Sequence, residues 1–519
     1  MKIAVDVTPI LRGGECGGAK QVLLELLRGF GERALSDEFI LLTSFQNHAF
    51  FQKFENSRVK CLCISKNSIS IKFSLLRRIL NRIRREITSS VLPGILKKND
   101  VSILFCPMTA PTYFEAGIPT VAIVHDLQHL YYPSFFSKQE LIHRNHFYEE
   151  LKRKVDYVIC VSSFTKKGVI EKLDISPDKV FVIPNCVHSR LDIPSQDMIK
   201  SALRKFGLEE KKYCFYPANL WPHKNHKMLF VAFNMFTKRY PNYNLHLVLT
   251  GEKIENSKIL DDAVKQMGLE EKIHFLGYLS EEELAVIWYG SHFLIFPSLF
   301  EGFGIPLVEA MMYGKPIVTS NVTSIPEVVG DAAVYFDPKK PDEIANAICE
   351  IMGNEKLHNL LVAKGRERLA LYNFNSMVGS YLEILHQAGK EGSKITKTEI
   401  SGIYSDGWAG DFIHITVRES GDEKTFHLKG YIPDWHKNDK MKIKINTSYG
   451  EHKEYMLRKN EVLNIQEPIN KKYGKLDIKI SGGFVPGGED IRTLTFMVEE
   501  AEIFDKGTGK KLYEFKRKG

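Results

Sequence analysis

The fold is decided by the stretch from Phe296 to Ala310, which reads FPSLFEGFGIPLVEA. An apolar strand ends at Phe296, a loop with two glycines follows, and Pro306 stands in the first turn of a helix. Free backbone N–H groups at the start of that helix, together with its dipole, form a site for an anion. Glu301 in the loop and Glu309 in the helix can face the same ligand. The residues alone equally allow a capped strand–loop–helix unit with two surface glutamates.

The same alternation of strand and helix runs through most of the chain. From residue 2 to about residue 385, apolar runs alternate with helical periodicity in two successive series, which predicts parallel sheets covered on both faces. The second series contains five predicted strands, the last at 316–319. Beyond residue 390, period-two runs, the last at 494–498, predict a β-sandwich. We therefore predict an α/β protein of two doubly wound parallel-sheet domains (1–190 and 191–389) with an additional all-β sandwich domain (395–519).

The composition excludes several classes of protein. Of the 519 residues, 44% are hydrophobic and 26% are charged, and the formal net charge is +8. This small surplus does not indicate a nucleic-acid binder, for which a basic domain or stripe is expected. The sequence contains no run of 18 apolar residues, so it predicts no membrane-spanning helix. Residues 1–7 resemble a buried strand more than a secretory signal. Eight scattered cysteines without a C-x-x-C pair predict a cytoplasmic protein.

Three further stretches carry residues suited to binding a ligand. A glycine-rich turn that ends with Gly17 and Gly18 follows the first strand, which is the geometry of a phosphate cradle and also of ordinary turns. His125 follows a predicted strand at the edge where open α/β sheets bind ligands, although single histidines are commonly structural. Asn219 and Lys224 lie in a polar loop that opens a helix. The residues alone leave the functional and the structural interpretation open in all three.

The two glutamates separated by seven residues, with Gly-Phe-Gly between them, resemble the E-x7-E signature of retaining glycosyltransferases of family 4, which have the GT-B fold. The flanking stretches IHFLGYL (273–279) and IPEVVGDA (325–332) are also similar to this family. The resemblance covers roughly residues 1–385. It implies that the final helix of the second domain packs back on the first.

The resemblance gives each matching residue a role. In the family, the second glutamate, here Glu309, holds the nucleotide ribose, while the first, Glu301, lies beside the donor sugar, which a histidine, here His125, also contacts. Lys224 matches the lysine that neutralises the diphosphate, whereas Asn219 stands where the family commonly has an arginine. The other residues implied to bind the donor are Gly17, Gly18, Gly304, Ile305, Pro306 and Leu307.

The resemblance implies a retaining hexosyltransferase. The wording WPHKNH (221–226) is similar to members that assemble bacterial surface polysaccharides, so we expect transfer of mannose from GDP-mannose to a growing, lipid-linked glycan. Lys224 and the amides of 304–307 would stabilise the leaving diphosphate, with Glu301 orienting the sugar. The chain has no D-x-D triplet, so no metal is expected. The alternatives are a nucleotide-sugar epimerase or phosphorylase of the same architecture, or an inactive glycan-binding scaffold, which Asn219 keeps open.

Residues 71–98 stand apart because they hold eight Lys and Arg residues and one acid, Glu86. Apolar residues at helical spacing between them predict a basic amphipathic helix. Such a helix either packs on the sheet with its arginines solvated or lies on an anionic membrane surface. We favour the second, since a lipid-linked acceptor requires it, and expect contact with the inner face of the membrane.

Overall fold

The structure, a computed structural model, describes residues 1–10, 17–33, 36–65, 95–115, 117–186, 194–251, 257–392, 399–403, 407–417, 423–447, 452–469, 475–484, 494–509 and 511–516. The chain forms two compact units, Met1–Ser393 and Lys394–Gly519. Among the described residues, no helix combines the length and the hydropathy needed to cross a bilayer. Most of the basic segment 71–98 lies outside the described residues, as do residues 13–16 of the glycine-rich turn.

The first half of the larger unit is built on a seven-stranded parallel sheet in the order β3-β2-β1-β4-β5-β6-β7. The strand order reverses between β1 and β4, and in such sheets ligands bind beyond the carboxyl ends of the strands near that point. The strands are β1 (Lys2–Asp6), β2 (Glu38–Ser44), β3 (Val59–Ser65), β4 (Ile103–Cys106), β5 (Thr120–Val124), β6 (Tyr157–Cys160) and β7 (Val180–Val182).

Six α-helices are described around this sheet: α1 (Gly17–Arg33), α2 (His48–Phe51), α3 (Ile95–Lys98), α4 (Gln128–Tyr131), α5 (Lys138–Lys154) and α6 (Ser163–Leu173). Short 3-10 helices occupy Gln52–Phe54, Pro133–Phe135 and Pro177–Lys179. Helix α1 buries one apolar face, and its Phe30 ring stacks on Phe39 with the ring centroids 5.1 Å apart. Helix α5 begins with a capping box, in which Ser137 and Glu140 bond to each other's backbone N–H groups.

The second half is built on a six-stranded parallel sheet in the order β10-β9-β8-β11-β12-β13. Its strands are β8 (Lys212–Pro217), β9 (Leu245–Thr250), β10 (Ile273–Phe275), β11 (Phe293–Phe296), β12 (Ile317–Ser320) and β13 (Ala333–Phe336). Its helices are α7 (Gln196–Lys205), a 3-10 helix (Pro222–Lys224), α8 (His226–Arg239), α9 (Ser257–Gln266), α10 (Glu281–Gly290), α11 (Ile305–Met312), α12 (Ile325–Val329), α13 (Pro341–Gly353), α14 (Glu355–Leu369) and α15 (Phe374–Glu391).

The sequence predicted five strands here, and the structure adds a sixth. Strand β13 lies at the sheet edge, and three of its four residues are only half-buried, so its apolar signal is weak. The strand predicted at 316–319 is β12, which starts one residue later because Pro316 has no N–H to donate to a ladder.

Helix α15 joins the two halves of the larger unit. It packs against α1, β4 and β5 of the first half, with the Tyr381 and Phe105 ring centroids 6.0 Å apart. Near its end, His386 Nε2 lies 2.8 Å from Asp37 Oδ2. This helix is therefore one of the elements that hold the second half against the first.

The smaller unit is an all-β sandwich of two antiparallel sheets, ordered β14-β15-β20-β17-β18 and β19-β16-β21-β22. Its strands are β14 (Glu399–Ile403), β15 (Ala409–Thr416), β16 (Lys424–Tyr431), β17 (Lys440–Thr447), β18 (His452–Arg458), β19 (Val462–Ile469), β20 (Lys475–Ser481), β21 (Met497–Asp505) and β22 (Lys511–Lys516). Alternate residues of β16 and β19 are buried, as the period-two pattern requires. The predicted fold class, two parallel-sheet domains and a sandwich, is confirmed.

The last predicted strand of the sandwich, 494–498, was misplaced. Strand β21 begins at Met497, and Leu494 instead forms an isolated bridge with Phe484. The strand continues through Glu500 and Glu502 because Lys516 and Lys511 on β22 pair with them. These cross-strand ion pairs allow carboxylates at positions where the sequence pattern predicts a strand end.

Candidate active site

A cleft of about 710 Å³ opens between the two halves of the larger unit, at the carboxyl ends of both sheets. Ten residues that the sequence singled out line it: Gly17, Gly18, His125, Asn219, Lys224, Glu301, Gly304, Ile305, Pro306 and Glu309. Leu307 is not among the lining residues, because its side chain is fully buried and its amide donates to the Gly304 carbonyl at 3.0 Å. One cleft thus collects residues that lie far apart in the sequence.

The loop that carries Glu301 is held by hydrogen bonds from both halves. Ser162 Oγ, at the start of α6, donates to the Gly302 carbonyl at 2.6 Å. From the second half, Ser324 Oγ donates to the Glu301 carbonyl at 3.0 Å. Only glycine fits at position 302, since a Cβ there would lie 1.8 Å from the carbonyl oxygen of His125. The Glu301 loop is therefore pressed directly against the end of β5.

Lys224 and Glu301 form an ion pair on the cleft wall. Lys224 Nζ lies 2.6 Å from Glu301 Oε1, and the two side chains are only 13% and 11% exposed. Lys224 ends the 3-10 helix, and the next residue, Asn225, reverses the chain with a φ of 62°. The Asn225 side-chain amide donates to the Pro297 carbonyl at 3.1 Å, which fixes this turn against the loop after β11. The ammonium has three donors, so it can bind a second oxyanion beside Glu301.

The start of α11 forms the anion-binding end of the cleft. Gly304 precedes the helix with a φ of 97°, a conformation that favours glycine. Pro306 has no N–H and the Leu307 amide is used by Gly304, which leaves the amides of Gly304 and Ile305 as donors for an anion. Glu309, one turn along the helix, lines the cleft and is only 2% exposed.

The glycines at the start of α1 allow the first half to approach this helix. Gly17 has a φ of 54°, and a Cβ there would lie 3.3 Å from the Trp221 ring. A Cβ on Gly18 would lie 2.7 Å from Ile305 Cδ1. The start of α1 therefore faces the start of α11 across the cleft.

Burial keeps the histidines of the cleft neutral. It lowers the pKa of His125, whose Nε2 lies 2.7 Å from the Pro107 carbonyl oxygen. A carbonyl oxygen only accepts, so Nε2 carries the proton and Nδ1 keeps its lone pair. Burial, followed by the charge of Lys224, lowers the pKa of His223 to about 2. His125 can thus accept a hydrogen bond from a ligand hydroxyl at neutral pH.

Two family models match the larger unit, one over each of its two sheet-containing halves. Residues 16–190 match the model described as Glycosyltransferase Family 4, and residues 199–368 match the model described as Glycosyl transferases group 1. The chain belongs to the family 4 glycosyltransferases. The family inferred from the sequence motifs is therefore confirmed.

The proteins similar to this glycosyltransferase include two O-antigen chain mannosyltransferases. One, mannosyltransferase B of Escherichia coli, is 28% identical over 47% of this chain and 64% of its own length. The other, RfbU of Salmonella typhimurium, is 27% identical over 50% of this chain and 68% of its own length. Among solved structures, Anabaena Alr3699/HepE in complex with UDP and glucose matches 75% of this chain and 100% of its own, with 18% identity and a TM-score of 0.57. This likeness shows the GT-B fold.

Gln128 and Arg144 are among the cleft residues that the sequence analysis did not single out. Gln128 of α4 is 7% exposed, and among the described residues its Nε2 has no hydrogen-bond partner. Half-buried Arg144 of α5 lines the same wall. In the sequence, Arg144 is one of several basic residues on a polar helix, like Arg153. Only the tertiary structure shows that it faces the cleft.

Proposed function

We propose that this glycosyltransferase transfers a hexose, with mannose as the first choice, from a nucleotide diphosphate sugar to a growing, lipid-linked bacterial surface polysaccharide, with retention of the anomeric configuration. The observation that carries this proposal is the convergence of Lys224, Glu301 and His125 on one cleft with the start of α11. The names of the O-antigen mannosyltransferase relatives support the sugar and the polysaccharide. The UDP complex of HepE supports a nucleotide donor.

The donor fits the cleft with its diphosphate at the second half. The amides of Gly304 and Ile305 and the ammonium of Lys224 are the donors suited to phosphate oxygens. Glu309, buried on α11, can accept hydrogen bonds from the ribose hydroxyls. Asn219 lines this wall with a neutral amide where the family commonly has an arginine.

In the proposed step, the bond between the sugar C1 and the donor phosphate oxygen breaks, and a bond between C1 and an acceptor oxygen forms on the same face. The acceptor proton passes to the leaving phosphate. Positive charge develops on the sugar and negative charge on the diphosphate, which Lys224 and the α11 amides stabilise. Glu301 accepts hydrogen bonds from sugar hydroxyls instead of attacking C1, and His125 Nδ1 accepts another. The proposal needs no metal, since these groups supply the countercharge.

We also propose that the protein contacts the inner membrane through residues 71–98, which rests on the sequence alone. Changing Arg77, Arg78, Arg82, Arg84 and Arg85 to Gln should weaken binding to anionic liposomes, most clearly at low salt. Activity on a short soluble acceptor should persist. Equal liposome binding by both proteins would contradict the membrane contact.

The function is tested by thermal shift with GDP, UDP and their sugars, followed by product analysis with a mannose-terminated acceptor. We expect stabilisation by GDP-mannose and an α-linked product, identified from its C–H coupling constant. Stabilisation by GDP should persist in Glu301→Gln, which loses turnover, and should disappear in Glu309→Ala. Glu355→Gln, an exposed carboxylate on α14, is the matched control. A β-linked product, an epimerised donor, a free sugar phosphate or no nucleotide binding would refute the proposal.

A further inference from the structure

We propose that Arg144 forms a phosphate-binding subsite on the wall of the cleft opposite Lys224. The inference rests on the proposed function in one respect, since the phosphate belongs either to the donor diphosphate or to a phosphorylated acceptor. In both cases the chemistry is the same, a guanidinium that binds phosphate oxygens through two parallel N–H bonds.

Arg144 projects from the first half of the unit into the space between the two walls. Lys224 and its neighbour His223 come from the second half, and all three residues line the cleft. Burial, and then the charge of Arg144, lowers the pKa of His129 on α4 to about 4. The charge of Arg144 also lowers the pKa of His223, after burial and the charges of Lys224 and His226. These directions agree with the cleft lining, in which Arg144 of the first half and His223 of the second half face the same space.

The guanidinium is positioned by an aromatic ring and not by an ion pair with a described carboxylate. It lies over the Phe136 ring, 4.5 Å from its centroid. Glu140, one turn earlier on α5, accepts from Ser137 N and Oγ through Oε2, both at 2.7 Å, and these hydrogen bonds lower its pKa more than the charge of Arg144 does. Arg153 on the same helix lies within ion-pair distance of its neighbouring glutamates, whereas Arg144 forms no ion pair with any described carboxylate. Ring stacking leaves the planar N–H edge open to an oxyanion.

Two further observations indicate that the ligand of this wall is polar and negative. Gln128, nine-tenths buried in the same wall, has a side-chain N–H group without a partner among the described residues. On the opposite wall, Lys224 is already neutralised by Glu301, and position 219 supplies an amide instead of a charge. A phosphate between the walls would therefore meet the positive charge of Arg144 from the first half of the protein.

The test is isothermal titration calorimetry on the full chain, with Arg144→Gln, Arg144→Lys and the control Arg153→Gln. Each protein is first titrated separately with inorganic pyrophosphate, with GDP and with UDP. Each protein is then saturated with the nucleotide that binds, and this complex is titrated with inorganic phosphate. A charge-assisted hydrogen bond of this kind corresponds to a roughly 10- to 100-fold change in affinity. The affinity of Arg144→Lys should lie between those of wild type and Arg144→Gln, because lysine keeps the positive charge and lacks the two parallel N–H donors of the guanidinium.

If the phosphate belongs to the donor, Arg144→Gln loses affinity for the nucleoside diphosphate and for pyrophosphate. If it belongs to the acceptor, Arg144→Gln keeps its nucleotide affinity and no longer binds inorganic phosphate in the nucleotide-saturated state. Equal affinities for wild type, Arg144→Gln and Arg153→Gln in every titration would overturn the subsite. A wild type that binds no nucleotide, yet binds pyrophosphate in an Arg144-dependent way, would refute the proposed function and leave the subsite standing.

Discussion

The Lys224–Glu301 ion pair allows the proposed charge clamp, the binding of the donor diphosphate by Lys224, to be tested before any chemistry is measured. Both side chains are nearly buried, at 13% and 11% exposure, so Lys224→Ala leaves a largely desolvated carboxylate without its ammonium. Removing one partner of a fully buried pair costs about 3–5 kcal/mol of stability. Because some solvent reaches this pair, we expect a loss of about 1–3 kcal/mol in the free energy of unfolding.

The comparison that isolates the pair is a double-mutant cycle with Glu301→Gln. The double variant contains no unpaired charge, so it should be more stable than Lys224→Ala alone, by about 1 kcal/mol or more. Urea denaturation of the four proteins under identical conditions gives this coupling. The same proteins are then titrated with the nucleoside diphosphate that binds wild type.

In that titration Lys224→Ala should lose roughly 10- to 100-fold in affinity, since it removes a charge-assisted bond to phosphate. Glu301→Gln should bind at least as tightly as wild type, because its lysine is no longer shared with a carboxylate. Unchanged affinity in Lys224→Ala, combined with equal stability of Lys224→Ala and the double variant, would refute both the clamp and the energetic role of the pair.

Three further predictions follow from single features of the larger unit. Gly302→Ala puts a methyl carbon about 1.8 Å from the His125 carbonyl oxygen, so it should lose about 3 kcal/mol of stability and nearly all transfer activity; full activity would contradict the close approach. Burial raises the pKa of Asp6 to about 6, so from near pH 4 upward the unfolded state ionises first and stability falls until about pH 6. Asp6→Asn should therefore raise Tm relative to wild type more at pH 7.5 than at pH 4.5, and an equal effect at both would contradict the shift. A chain ending at Gly392 keeps every described cleft residue and should bind nucleotide like the full chain; an insoluble product would contradict this.

Sequence patterns predicted best the parts of the fold that local physics determines. The β11–loop–α11 unit could be located because an apolar strand, two glycines and a proline in the first helical turn act within fifteen residues. Strand β13 escaped because an edge strand with half-buried residues carries little periodic signal. Strand β21 was misplaced because its glutamates are stabilised by lysines on β22, a cross-strand effect that no local pattern contains.

The candidate site divides in the same way. His125, Lys224 and Glu301 follow strand ends or open helices, so the topology of a parallel sheet brings them to one edge. Arg144 could not be found, because its exposure to the cleft depends on the direction of α5 and on the capping box that occupies Glu140. Leu307 was placed in the site from the motif, while its amide turns inward to Gly304 at the first turn of α11.

The Lys224–Glu301 ion pair connects phosphate binding with sugar orientation in the proposed reaction. In the ion pair, Lys224 and Glu301 partly neutralise each other, so neither group presents its full charge. A diphosphate, with its greater negative charge, draws on the same ammonium and leaves the Glu301 carboxylate in need of hydrogen-bond donors, which the hydroxyls of the donor sugar supply. Nucleotide alone should then bind with a poorly satisfied Glu301, whereas the complete nucleotide sugar satisfies it. It follows that Glu301→Gln should narrow the difference in affinity between the nucleotide sugar and the free nucleoside diphosphate. If the variant preserves the wild-type difference, Glu301 does not bind the donor sugar.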